Sequence, residues 1–178
     1  ASPPWKAKMT SLSPLAALAF LIPALPIGIW VAWSDMKTMK IPNKAVMALG
    51  AGFLIVGLGL VLTGLLAFTA FLWALALGLI VLVAGFLGNA AGLFGAGDAK
   101  FAAVMAPFFI GADARFVMGL FAACLLGAFA SHRLAARIPT FRAATADWAS
   151  WTNKDFPMGL ALSGTLIFYL LAALLPLF

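Results

Sequence analysis

The stretch LSPLAALAFLIPALPIGIWVAW, residues 12–33, contains no charged residue. A helix needs roughly 20 apolar residues to cross the hydrocarbon core of a bilayer. Three further stretches, 45–62, 66–88 and 157–178, are also long, apolar and free of charge. The pattern therefore predicts an all-α, polytopic membrane protein.

The composition indicates the same class. Apolar residues make up 65% of the chain and charged residues only 9%, whereas a soluble domain usually carries about 25% charged residues. The net charge of +6 could suggest nucleic-acid binding, but lysines and arginines of a membrane protein set its topology and meet anionic lipid headgroups. We therefore expect membrane lipid, and no nucleic acid, as a partner.

Few side chains are available for chemistry. The chain has one cysteine, one histidine and no glutamate. A single thiol forms neither an intrachain disulfide nor a zinc cluster, so we expect neither a metal nor a cofactor. The five acidic residues are Asp35, Asp98, Asp113, Asp147 and Asp155.

The apolar stretches and their polar interruptions predict about six transmembrane helices in a single membrane-embedded domain, 1–178, with a polar tail at 1–10. Residues 98–132 are expected to form two helices, because a charge at mid-membrane costs roughly 2.5–3.5 kcal/mol and Asp113 lies in the middle of this stretch. The predicted helices are about 11–34, 43–62, 66–87, 98–110, 114–132 and 157–178, with a cytoplasmic or interfacial loop at 133–156.

Six helices place both termini on one side of the membrane. Eight basic residues fall in the connections on the other side: Lys37, Lys40, Lys44, Lys100, Arg133, Arg137, Arg142 and Lys154. Three fall on the side of the termini: Lys6, Lys8 and Arg115. By the positive-inside rule the larger group faces the cytoplasm and the termini face outward. Asp35 and Asp98 then share the cytoplasmic side.

This pair of aspartates is the strongest chemical signal. Two carboxyl groups a few ångströms apart share a proton, so one can activate a water while the other polarises a carbonyl group. The structural alternative is that both aspartates are helix ends, since aspartate is a preferred N-cap. Gly95 and Gly97 favour the chemical interpretation, because they allow another backbone to come close to Asp98.

Two motifs carry a family resemblance. Gly95-Ala96-Gly97-Asp98-Ala99-Lys100 resembles the GxGDxK motif of the type IV prepilin peptidases, which are GxGD membrane aspartyl proteases. Asp35 followed by Ile41-Pro42-Asn43 resembles the first catalytic segment of that family, and Pro157-Met158-Gly159 resembles the start of its last helix. The likeness extends from about residue 20 to the C-terminus.

The resemblance implies removal of the short basic leader peptide of type IV pilin-like precursors at the cytoplasmic face of the bacterial inner membrane. Asp35 and Asp98 would be the catalytic pair, with no metal. The residues expected near the active site or the approaching substrate are Gly95, Gly97, Lys100, Lys37, Asn43, Pro157 and Gly159. Asn43 is also expected to cap the second helix.

Larger members of the family carry a Cys-x-x-Cys insertion and methylate the new N-terminus. This chain has one cysteine, so it resembles the small form that serves tight-adherence (Flp) pili, and we expect no methyltransferase activity. Archaeal preflagellin peptidases are similar in size. Presenilin-like proteases fit less well, since their first aspartate follows a tyrosine and Asp35 follows Ser34.

A different class of function is also open. Acidic residues within membranes commonly bind protons or cations, so a small transporter or proton-coupled carrier is the alternative. It would require an acidic residue near the bilayer midplane, and none of the predicted spans places one there.

Overall fold

The computed structural model describes residues 10–175 of the chain, so all of the predicted polar tail except Thr10 lies outside the described residues. It contains α-helices and two 3₁₀ helices, with no strand between residues 10 and 175. The α-helices are α1 (Pro14–Thr38), α2 (Asn43–Leu62), α3 (Phe68–Ala90), α4 (Ala96–Met105), α5 (Ala114–Ala136), α6 (Pro139–Ala144) and α7 (Met158–Ala172). The 3₁₀ helices are Ala106–Phe109 and Ala149–Trp151.

The surface of this bundle is suited to lipid. Four helices, α1, α2, α3 and α5, are long and apolar enough to cross a membrane. Large apolar side chains project outward from each of them, among them Ile22, Ile55, Phe86 and Leu126, which are all at least 70% exposed. Exposed apolar surface on this scale is not sustained in water. The prediction of an all-α polytopic membrane protein is confirmed.

The stretch 98–132 forms two helices, as predicted. The first, α4, is continued by the 3₁₀ helix that contains Pro107, and together they run through the interior, where Phe101 and Phe108 are fully buried. Gly111 then turns the chain with a φ of +69°, a conformation that glycine adopts without steric cost. Asp113 caps α5 by accepting the N–H of Arg115 at 2.8 Å.

Three predicted helix ends were wrong. Helix α7 ends at Ala172 and does not continue to residue 178. Helix α1 does not stop at Ser34 but continues to Thr38, since polar side chains can extend a helix beyond the apolar stretch, and Met39 ends it with a φ of +53°. Helix α5 continues to Ala136, so the loop predicted at 133–156 starts later and contains α6 and a 3₁₀ helix. The predicted cap of α2 was also wrong: Pro42 is the N-cap, and Asn43 is the first helical residue.

Aromatic side chains hold the centre of the bundle together. Phe53 of α2 stacks on Phe20 of α1 and on Phe71 of α3, with ring centroids 5.2 and 5.7 Å apart. Phe108 meets Phe20 and Phe53 edge-on at 5.1 and 5.0 Å. The cluster therefore ties three long helices to the interior segment.

Helices α1, α4 and α7 lie at the centre of the arrangement. Helix α1 packs against α7 and α2, while α4 lies against α2, α3 and α7. Helix α5 packs on the other side of α7. Because the helices alternate in direction, the α1–α2, α3–α4 and α5–α7 connections meet at one end of the bundle, where they enclose a cavity.

Candidate active site

A cavity of about 780 Å³ opens at this end of the bundle. Its wall consists of Asp35 and of residues from three connecting segments, 39–43, 92–100 and 153–158. Asp98 belongs to the second segment, so the two aspartates singled out in the sequence line one cavity. We call this space the aspartate cavity.

Asp35 is fixed by two backbone contacts. Its side chain projects from the last turn of α1 and is buried, with 5% of the residue exposed. Its Oδ2 accepts the N–H of Gly159 at 2.7 Å, and its backbone carbonyl accepts the N–H of Met39 at 2.8 Å, which closes α1. Asp35 is thus held between the end of α1 and the start of α7.

Asp98 is the third residue of α4, and Gly95, not Asp98, is the N-cap. A carboxylate in the first turn of a helix is stabilised by the helix dipole. Asp98 is half-buried and lies outside the four candidate membrane spans. Burial raises the pKa of its carboxyl group, and the nearby backbone amide of Gly95 partly offsets this. The protonated form of Asp98 therefore persists to higher pH than it would in water.

The two glycines before Asp98 differ in their surroundings. A Cβ at Gly95 would stand 2.9 Å from Oδ2 of Asp98, so the carboxylate of Asp98 would have to shift. A Cβ at Gly97 would meet Ile41 at 3.5 Å, an ordinary contact. Asn89 steadies the loop between α3 and α4, because its Nδ2 donates to the carbonyl of Phe94 at 2.9 Å. A side chain at Gly95 would therefore displace the carboxylate of Asp98, whereas a Cβ at Gly97 would make only ordinary contacts with the described residues.

The two lysines predicted near the aspartates lie in different places. Lys100 lines the aspartate cavity, and its Nζ lies 3.4 Å from Oδ1 of Asn43, which lines it too. Lys37 does not line the cavity: its Nζ pairs with Oδ2 of Asp147 at 3.2 Å and lies over the ring of Trp33. Lys37 therefore connects α1 to the α5–α7 connection.

The segment that resembles the start of the family's last helix closes the cavity from the other direction. Pro157 is the N-cap of α7 and is fully buried, so it packs behind the cavity wall and does not line it. Gly159 touches Asp35: a Cβ at this position would stand 2.9 Å from both Cβ and Oδ2 of that aspartate. A glycine is therefore necessary where α7 passes Asp35.

Sequence reasoning missed several residues of the cavity wall. Lys40, Asn153 and Asp155 bring polar groups into the cavity, and Phe156 and Met158 add apolar surface. Lys40 could have been noticed beside Ile41-Pro42-Asn43. For Asn153 and Asp155 the only signal was their closeness in sequence to Pro157, because the tertiary fold brings the α5–α7 connection back to Asp35.

The side chains present suit acid–base chemistry by carboxyl groups. The carboxyl groups of Asp35 and Asp98 share one cavity with that of Asp155 and with lysine and asparagine side chains, and within residues 10–175 no group of three potential metal ligands is found. Such a pair can hold one proton between them and act on a water.

The fold and the cavity define a polytopic helical membrane protein with a pair of aspartates at one end of its bundle. The chain belongs to the type IV leader peptidase family: a model of that family matches residues 16–131, well over half of the 178-residue chain. The suspected relationship to the prepilin peptidases is thereby confirmed, and the protein is a protease of the leader peptidase type. Comparison with curated proteins and with solved structures gave no significant match.

Proposed function

We propose that this protein is an aspartyl endopeptidase that removes the short basic leader of type IV pilin-like precursors. The observation that carries the proposal is the convergence of Asp35 and Asp98 on one cavity, although they come from different helices. The family supports a precursor of the pilin type as substrate in general. The single cysteine of the 178 residues favours the form that serves tight-adherence pili.

In the proposed mechanism the aspartates share one proton. The ionised carboxylate takes a proton from a water, while the protonated carboxyl group donates a hydrogen bond to the scissile carbonyl. The water adds to the carbonyl carbon, and the same pair then passes a proton to the leaving amine. The contact between Gly159 and Asp35 keeps one carboxylate oriented while the other acts from the start of α4.

The distribution of charge supports a cut at the cytoplasmic face of the inner membrane. Lys37, Lys40, Lys44 and Lys100 lie in or beside the connections around the aspartate cavity, whereas Arg115 lies at the start of α5, at the other end of the bundle. This asymmetry favours a cytoplasmic cavity with the termini outside. The leader of a precursor would then be removed on the cytoplasmic side.

The experiment co-expresses a candidate prepilin with the wild type, Asp35→Asn or Asp98→Asn. Each single substitution is expected to lower cleavage by at least about 10³-fold, since the loss of one general acid or base is commonly worth 10²–10⁴-fold and the two groups act together. Asp113→Asn is the matched control, because asparagine caps a helix as well as aspartate does and Asp113 caps α5 at the other end of the bundle.

The readout is the ratio of precursor to mature pilin, with the amount of enzyme in the membrane measured alongside. Cleavage that survives either substitution in a well-accumulated protein would show that the aspartate concerned is structural. The two-aspartate mechanism would then be wrong.

A further inference from the structure

Asp155 lines the aspartate cavity, but its carboxylate has no role in the packing of the bundle. The other aspartates outside the proposed pair have structural partners: Asp113 caps α5 and Asp147 pairs with Lys37. The side chain of Asp155 is exposed, and no ion pair or hydrogen bond within residues 10–175 uses its carboxylate. It is an unused negative charge in the wall of the cavity.

The backbone that carries Asp155 is held in place on both sides. Its N–H donates to Oδ1 of Asn153 at 3.0 Å. The next residue, Phe156, packs its ring against His132 and Phe129, each with centroids 6.0 Å apart, and Pro157 is fully buried. The backbone that carries Asp155 is therefore held in place at the wall of the cavity.

This position is close to the proposed reacting centre. Asp155 comes four residues before Gly159, whose N–H donates to Asp35. A peptide whose scissile bond lies between Asp35 and Asp98 would pass Asp155 within a few residues of the cut. A charge in the wall of a partly enclosed cavity attracts its counter-charge more strongly than one in open water does.

We propose that Asp155 binds a cationic side chain, lysine or arginine, of the peptide in the aspartate cavity. The proposal rests on the proposed function and names a binding residue for its substrate. Lys40 and Lys100 also line the cavity and repel a cation. Outside the proposed catalytic pair, Asp155 is thus the acidic residue of the described lining that can attract a cationic side chain. Its position sets where along the peptide that side chain lies.

The test uses synthetic peptides that span the cut, with lysine, glutamine or glutamate placed in turn at each position before it. Asp155→Asn is expected to raise KM and lower kcat/KM about fivefold for the best lysine peptide, which is the size of one solvent-accessible ion pair. It should not change kcat/KM for the matched glutamine peptide.

Asp155→Lys should lower cleavage of the lysine peptide further and improve cleavage of the glutamate peptide. Asp147→Asn, in the same connection but outside the cavity wall, is the control and should not alter the preference for charge.

An equal loss of kcat/KM for all three peptides would show that Asp155 is structural. If both Asp155 variants kept the wild-type preference for peptide charge, the charge of Asp155 would not be used. Either result overturns the inference and leaves the proposed function intact. If the wild type cleaves none of the peptides, the proposed function fails, and binding tests the inference separately. Fluorescence anisotropy should then show that the labelled lysine peptide binds Asp155→Lys more weakly than it binds the wild type. The glutamine peptide should show no such loss of affinity. Equal binding of the lysine peptide to both proteins would overturn the inference.

Discussion

At the scale of single residues, Gly159 and Asp35 form the contact on which the geometry of the aspartate cavity depends. The N–H of Gly159 donates to Oδ2 of Asp35 at 2.7 Å, and this approach is possible only because Gly159 has no side chain. Gly95 lies beside Asp98, where a Cβ would displace only the carboxylate of that aspartate. The position of Asp35 thus depends on its glycine more strictly than the position of Asp98 does.

Gly159→Ala should impair catalysis more than folding. The new methyl group would stand 2.9 Å from Cβ and Oδ2 of Asp35, so the carboxylate or the start of α7 must shift. A displacement of about 1 Å at a reacting group can cost about 10²-fold in rate. We expect that loss in kcat/KM, with the protein still accumulating in the membrane.

Gly164→Ala is the matched control in the same helix. Its methyl group would meet Sγ of Cys124 at 3.6 Å, an ordinary contact, and Asp35 is not among the atoms that it would meet. Cleavage rate and thermal stability in detergent should be measured for both variants. Equal activity of the two would show that the contact between Gly159 and Asp35 is not needed.

At the scale of elements, α1 and α7 carry the cavity and the aromatic cluster holds the bundle beneath it. Helix α1 packs along α7, so their facing ends define where Asp35 and Gly159 meet. The interior segment of α4 and its 3₁₀ continuation holds Asp98 at one end and the buried Phe108 further along. The stability of this segment therefore determines how well Asp98 is placed.

Phe108→Ala should destabilise the bundle by on the order of 2 kcal/mol. Its ring is fully buried between Phe20 and Phe53. In lipid the hydrophobic contribution to this loss of stability is smaller. The lost packing contacts and the cavity left behind still destabilise the bundle. Phe86→Ala is the control, because Phe86 lies in α3 with 70% of its surface exposed.

Thermal unfolding in detergent, followed by circular dichroism, measures both variants. A loss of stability no larger for Phe108→Ala than for Phe86→Ala would contradict the role of the cluster as the core of the bundle.

At the scale of the whole molecule, the end that contains the aspartate cavity is also the end rich in lysine and arginine. Helices that alternate in direction bring the basic connections and both aspartates to that end. Membrane insertion responds to the same basic residues. The orientation of the chain and the side on which a substrate is cut are therefore coupled.

Labelling of single cysteines in a Cys124→Ala background should reveal this orientation. Ala143→Cys lies in α6 near the cavity end, and Ala114→Cys lies at the start of α5; both positions are exposed and uncharged. In intact spheroplasts a membrane-impermeant maleimide should label Ala114→Cys and spare Ala143→Cys, and both should react after lysis. The reverse pattern would place the cavity outside the cytoplasm.

Most of the bundle could be predicted from the sequence, because length, hydropathy and the absence of charge are local properties. The bounds of α2 and the division of 98–132 into two helices depend on such properties, and they were predicted correctly. The end of α1 was not, since Asp35-Met36-Lys37-Thr38 is polar and yet stays helical. Hydropathy reports where a helix leaves the lipid, not where its hydrogen bonds stop.

The sequence by itself determined the class of protein and the four long apolar helices, and it singled out two aspartates as candidates, through apolar run length and two short motifs. Only the tertiary structure decided which residues share a wall with that pair. It brought Asn153 and Asp155 into the wall of the cavity and turned Lys37 away toward Asp147. The reason is physical: contacts between distant segments depend on how helices pack and where connections fold back, and neither follows from the residues near each position.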